Sequence, residues 1–400
     1  MTVDWLEQTR PRLRASVRIG PPLLKGATSV HYVADPETTA YLQVGPREAF
    51  LMARLDGTRT PHEIGLDYAA EFGKRLGPEN WQQLFTLLGS RGLLEPADPS
   101  LVATLRERAE TTRHAEGRTA LLWRLPIPGA LALVSPVTRA LGWLLNPVLA
   151  MVLGLAGLSV CVLVALNWVS LYDSLGRVPW WLTALGLVIS WLMIGLHEFG
   201  HAIACHRYGG KATQIGFMWR FPLIAPYCKV DDVVTFGPAR HRVMTSFAGI
   251  YVNLVAILPF GALWLWGPPW AHDLATTLLL FGTVTVLVNL LPVLQLDGYH
   301  MLEHATSTIG LQSESFTFAV LAVQGKAAGY PTRAKWLYSL YVLVTLAILL
   351  PVAWLLGSIW FDTLEGLWGP VAATLVLVAE AVVVAAFLTW AVRRRRVVRG

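Results

Sequence analysis

Apolar and polar positions change their rhythm at about residue 95. Before it, short apolar patterns are interleaved with charges. After it, long apolar runs recur at about 147–170, 179–204, 243–266, 274–295, 336–356 and 369–392. Each run is long enough to cross about 30 Å of hydrocarbon as a helix. The pattern therefore predicts an α-helical polytopic membrane protein with about six transmembrane helices. Residues 126–145 mix Pro, Gly and apolar residues with Arg139 as their one charge. They are expected to lie at the membrane surface and not to form a seventh span.

The first part has a different design. Residues 29–33 and 39–44 are β-prone and flank the turn signal Asp35-Pro36, which predicts a hairpin. Helical patterns follow at 46–55, 60–72 and 79–91, the last closed by Gly92. Residues 1–98 thus form a small α+β, winged-helix-like domain. Pro96 and Pro99 open a linker over 99–125 with a charged helix at about 101–115, leading to a transmembrane domain at 126–392 and a basic tail at 393–400.

Composition agrees with this pattern. The chain is 54% hydrophobic and only 14% charged, with a mean hydropathy of +0.50, whereas soluble domains carry about a quarter charged residues. The N-terminus lacks an apolar h-region, so no cleaved signal peptide is expected. Three cysteines without CxxC spacing argue against a disulfide framework or a thiolate metal site. The net charge of +6 could suggest nucleic acid, but Arg393 to Arg396 directly follow an apolar run, so the charge is assigned to membrane topology.

The gaps after the first, third and fifth runs carry Arg177 against Asp173, Asp273, Asp362 and Glu365. Those after the second and fourth carry Arg207, Lys211, Lys229, Arg240, Arg242, Lys326, Arg333 and Lys335. The positive-inside rule then puts both termini in the cytoplasm.

Within the second run stands His197-Glu198-Phe199-Gly200-His201. Histidines four apart on a helix lie about 40° apart around its axis and can reach one metal ion, with the glutamate placed to take a proton from a bound water. A charge at membrane depth is costly and marks a working site. A catalytic zinc wants a third protein ligand. The fourth run ends Asn289-Leu290-Leu291-Pro292-Val293-Leu294-Gln295-Leu296-Asp297-Gly298. Pro292 should break the helix and Gly298 permit a sharp turn, presenting Asp297 at the same end at which His197 and His201 finish the second run.

This pair of motifs resembles the site-2 protease family of intramembrane zinc metalloproteases. The resemblance implies one Zn2+ per chain held by His197, His201 and Asp297, Glu198 as general base, and a peptide or membrane-protein substrate. The family's Gly-Pro-x-x-Asn element matches Gly249-Ile250-Tyr251-Val252-Asn253, where the proline is missing and Asn253 remains. Asn253 and Asn289 are the candidate substrate-positioning residues. The N-terminal domain, with Ala53-Arg54-Leu55-Asp56-Gly57-Thr58-Arg59-Thr60-Pro61, resembles PqqD-like peptide-binding domains, which implies a leader peptide as partner. The whole is similar to bacterial membrane-bound peptide zinc metalloproteases, which implies the bacterial cytoplasmic membrane and a role in maturing a ribosomally made peptide.

Other features have plainer expectations. His62-Glu63 should be a solvated helix face, Asp231 and Asp232 a solvated loop, Cys205 a packing residue, and Glu380 a hydrogen-bonded carboxyl. The apolar stretch 216–230 between spans suggests a re-entrant or edge-strand element near the metal. His300 and His304 read as cytoplasmic surface or as groups supporting the metal ligands, or else as a second histidine box that would make the chain a membrane di-iron oxygenase. A non-catalytic membrane peptide receptor or export factor is the other alternative.

Overall fold

The N-terminal strands are short and their pairing is wider than a hairpin. The structure is a computed structural model describing residues 5–38, 40–115, 122–220 and 223–397. After helix α1 (Trp5–Gln8) come β1 (Arg12–Leu13), β2 (Arg18–Ile19), β3 (Leu23–Lys25), β4 (Thr28–Asp35) and β5 (Ala40–Val44). The expected hairpin is β4 against β5, antiparallel, with Tyr32 opposite Gln43 and Ala34 opposite Tyr41. The far side of β4 pairs with both β2 and β3, completing a sheet of four strands. Strands of two or three residues are too short to show a period of two, so the sequence pattern did not reveal them.

Helices α2 (Pro46–Met52), α3 (Pro61–Phe72) and α4 (Pro78–Ser90) follow, and β6 (Leu94–Glu95) returns to pair with β1. Helix α3 opens with a capping box in which Glu63 N–H donates to Thr60 and the Glu63 carboxylate accepts from Thr60 N–H. This accounts for the His62-Glu63 pair without any metal. The core of this module gathers Val33, Val44, Met52, Ile64, Trp81 and Leu88.

Beyond α5 (Pro99–Ala115), strand β7 (Leu122–Pro126) leads to α6 (Ala130–Leu141), which contains Pro136 and has 12 residues, too few to span a bilayer. Then come α7 (Pro147–Leu166), α8 (Trp168–Leu175), α9 (Trp180–Arg207), β8 (Gln214–Arg220), β9 (Leu223–Lys229), α10 (Ala239–Trp266), α11 (Pro269–Leu290), α12 (Asp297–Ala305), α13 (Leu311–Val323), α14 (Thr332–Trp368) and α15 (Pro370–Val397).

Among the described residues, five helices are long and apolar enough to cross a membrane: α7, α9, α10, α11 and α14. The sixth expected run falls in α15, whose side chains are described continuously only as far as Val383. Helix α14 runs through the expected gap 357–368: that stretch carries Asp362 and Glu365 but no proline, and the helix ends only before Gly369, whose φ is +81°.

By its contacts the chain divides into two units, Met1–Tyr338 and Ser339–Gly400. In the first, α10 is central and packs on α7, α9, α11 and α12. The helices approach closely at small residues: a Cβ on Gly157 would lie 2.2 Å from the Leu254 carbonyl oxygen, and one on Gly200 2.7 Å from Val252. The apolar stretch between α9 and α10 is a hairpin, β8 against β9, extended by β7 into a three-stranded sheet. Its aromatic content is used in packing, since Phe217 stacks on Trp191 of α9 with ring centroids 5.4 Å apart.

Candidate metal centre

His197 and His201 stand one turn apart on α9 and both are buried. Helix α11 stops at Leu290, as the residue before a proline must leave the helical region, and Leu291 is extended. The chain turns and restarts at Asp297, the first residue of α12. Gly298 does not have a positive φ. It is required by proximity, for a Cβ there would sit 2.4 Å from the Leu290 carbonyl oxygen.

The turn brings Asp297 Oδ2 to 3.0 Å from His197 Nε2 and Asp297 Oδ1 to 3.2 Å from His201 Nε2, while the two Nε2 atoms are 3.3 Å apart. The three side chains form a group that could hold a metal ion. His201 Nδ1 lies 2.8 Å from the Thr245 carbonyl oxygen, which can only accept, so Nδ1 carries the proton and Nε2 keeps its lone pair. His197 Nδ1 lies 3.0 Å from the side-chain amide of Asn253. With that amide turned to accept, the same tautomer is imposed on His197.

With both imidazoles neutral in that tautomer, three electron-pair donors face one another, and among the described residues Asp297 Oδ2 is buried without a hydrogen-bond partner. Tetrahedral zinc with bonds of about 2.0–2.2 Å sets its ligand atoms about 3.3 Å apart, so the residues present fit that ion. Space is kept by Gly249 on α10, whose Cβ would fall 2.5 Å from both His197 Nε2 and His201 Nε2.

Glu198 lines the same cavity, of about 760 Å³, as His197, His201 and Asp297. Its Oε2 accepts a hydrogen bond of 2.8 Å from the Cys228 N–H. Higher on α9, Trp191 Nε1 donates to the Ile224 carbonyl at 3.0 Å. Edge strand β9 is therefore laid along the metal-bearing helix, and the backbone of Cys228 steadies the glutamate. Of the two candidate substrate-positioning residues, Asn253 contacts His197, while Asn289 lines the cavity and donates back to the Thr285 carbonyl of its own helix at 2.9 Å.

The remaining expectations divide. Cys205 packs against Val233 and Phe236, and Glu380 accepts from Trp360 Nε1 at 3.2 Å. Asp232 is not solvated: it is buried, accepts from Lys211 N–H at 2.9 Å and from the Tyr41 hydroxyl, because the N-terminal sheet covers that loop. His300 and His304 have ring centroids 6.4 Å apart, and among the described residues only His197, His201 and Asp297 gather within metal reach. Glu303 sits between those histidines and accepts from the Tyr299 hydroxyl and the Leu311 N–H, each at 3.2 Å. Sequence reasoning missed Tyr32 and Tyr41, which line the cavity from the N-terminal module, and the backbone of Thr245 and Cys228, which leaves no mark in side-chain patterns.

Compared with protein-family models, curated proteins and solved structures, the chain has no match.

Proposed function

We propose that the chain is a membrane-embedded zinc metallopeptidase that hydrolyses a peptide bond in a peptide or membrane-associated substrate. The observation that carries this reading is the convergence of three buried donor atoms from α9 and α12 beside Glu198 in one cavity. His197, His201 and Asp297 would hold the zinc, which when bound would polarise a carbonyl and lower the pKa of a water towards about 7. Glu198 takes the proton as that water attacks and passes it to the leaving amine. The Cys228 N–H keeps the carboxylate turned towards the cavity, and the Thr245 carbonyl and Asn253 keep the two imidazoles in ligating orientation.

The motif pair supports a site-2 protease type of enzyme, and the small N-terminal module supports a ribosomally made peptide with its leader as substrate. The asymmetry of Lys and Arg between the gaps supports an orientation with both termini in the cytoplasm, and the resemblance to bacterial peptide zinc metalloproteases supports the bacterial cytoplasmic membrane. A substrate helix would first have to be unwound locally, because its carbonyls are otherwise hydrogen-bonded.

Glu198→Gln tests the chemistry directly. The purified variant should retain one zinc per chain by elemental analysis and lose cleavage by at least about a hundredfold. Wild-type turnover in that variant would remove Glu198 from the reaction. Two irons per chain with visible absorption would favour the oxygenase instead.

A further inference from the structure

Strands β4 and β5 have two faces with different duties. Val33, Leu42 and Val44 pack in or against the core of the N-terminal module. The period of two then turns Tyr32, Tyr41 and Gln43 to the other side of the sheet. In the register of the pair, Tyr32 faces Gln43 and Tyr41 faces Ala34, so the tyrosines are diagonal neighbours on one face. That face closes over the candidate metal centre: Tyr32 and Tyr41 line the cavity together with His197, Glu198, His201 and Asp297.

The sheet is held in this place by several bonds. Leu24 N–H donates to the Ser307 carbonyl at 2.9 Å, and the Leu24 carbonyl accepts from Ile309 N–H at 3.0 Å. Arg18 donates to the Gly209 carbonyl at 2.8 Å, and the Tyr338 hydroxyl to the Gly26 carbonyl at 3.3 Å. The Tyr41 hydroxyl is bonded to the buried Asp232. Gly209 lies two residues beyond the helix that carries His197 and His201, and residues 307–309 begin two residues beyond the helix that carries Asp297. The tyrosine face is thus fixed relative to both sources of metal-binding groups. Burial and the Glu303 carboxylate hold the Tyr32 hydroxyl above its ordinary range, in keeping with its place at the cavity.

We propose that Tyr32 and Tyr41 are specificity-determining residues: they contact substrate side chains beside the scissile bond, so the N-terminal module helps select which bond is cut. The proposal rests on the peptidase reading. An extended peptide reaching Glu198 through this cavity runs between α9 and α12 on one side and the tyrosine face on the other. A phenol ring offers a flat apolar surface with a polar rim, so the side chain received at Tyr32 is apolar or aromatic. Tyr41, tied to Asp232, acts as the fixed wall and Tyr32 as the contacting ring.

The test uses the full chain, zinc-loaded in detergent, on a mixed library of synthetic peptides whose cut sites are mapped by mass spectrometry. Wild type, Glu198→Gln, Tyr32→Ala, Tyr32→Phe and Leu66→Ala, an exposed position on α3, are compared. Tyr32→Ala should keep its zinc and lose the preference for an apolar or aromatic residue at one position beside the cut. On the best wild-type peptide its KM should rise about fivefold with little change in kcat. Tyr32→Phe should restore the preference, and Leu66→Ala should leave it untouched. An unchanged cut-site profile in Tyr32→Ala overturns the proposal. A profile that is the same in wild type and Glu198→Gln overturns the peptidase reading, and this proposal falls with it.

Discussion

Asn253 separates two roles that its sequence position allows. As a substrate-positioning residue it would affect KM or kcat and leave the metal alone. Its amide instead lies 3.0 Å from His197 Nδ1, and groups that orient a ligating histidine are typically worth about 10–100-fold in metal affinity. Asn253→Leu should therefore weaken zinc binding by about that factor, as measured by competition with a chelator, while the protein stays folded. Unchanged zinc affinity with altered turnover would return Asn253 to the substrate. Asn253 is a lone amide in an apolar helix, which calls for a partner. Which neighbour that is depends on how α10 is turned against α9, and no single-residue signal carries that.

At the scale of the element, the turn between α11 and α12 decides whether Asp297 reaches the histidines. Its outline was legible: Pro292 ends the helix, and the Leu-Asp-Gly that follows restarts the chain as α12. The need for glycine was legible too, but for the wrong reason. The backbone at Gly298 is one any residue could adopt, and the restriction comes from the Leu290 carbonyl oxygen, 2.4 Å from where a Cβ would stand. Gly298→Ala should push α12 away from α11 and carry Asp297 with it. Zinc affinity should drop at least about tenfold, with helix content by circular dichroism unchanged. Full zinc occupancy at limiting metal would show that the turn can absorb the methyl group. The apolar stretch that forms the β8–β9 hairpin is legible as a re-entrant or edge-strand element, and the structure makes it the latter. That its edge would lie along α9, with Cys228 N–H on Glu198, follows from packing between distant parts of the chain.

On the scale of the whole molecule, α10, the turn before it and the segment after α12 are tied together at Arg242, which donates to the Phe236 carbonyl at 2.7 Å and to Ser307 Oγ at 2.9 Å. Next to this junction His304 is buried, and its Nδ1 has no hydrogen-bond partner. Burial lowers its pKa to about 4; Glu303 opposes the shift, and His300 and Arg242 add to it. An unfolded histidine titrates near 6.5, so between those values the unfolded chain binds a proton that the folded chain does not. The neutral imidazole thus contributes fully above about pH 6.5, and its contribution falls as the pH drops towards 4, by at most about 3 kcal/mol. The apparent Tm in detergent should fall between pH 7.5 and pH 5, and His304→Gln should show a smaller fall over the same interval. An identical slope in the variant would assign the acid sensitivity to other groups.

The linear chain carried what repeats or punctuates: the apolar runs, the histidines one helical turn apart, and the proline that ends α11. These depend on neighbours within a turn or two, which is why residue order shows them. Folding in three dimensions decided the rest: which carbonyl sets the tautomer of His201, what lies on Asn253, why Asp232 is buried, and that Tyr32 and Tyr41 face His197 and His201. Each of those contacts joins groups from distant parts of the chain, and each is selected by how helices and sheets pack rather than by any local preference of the residues involved.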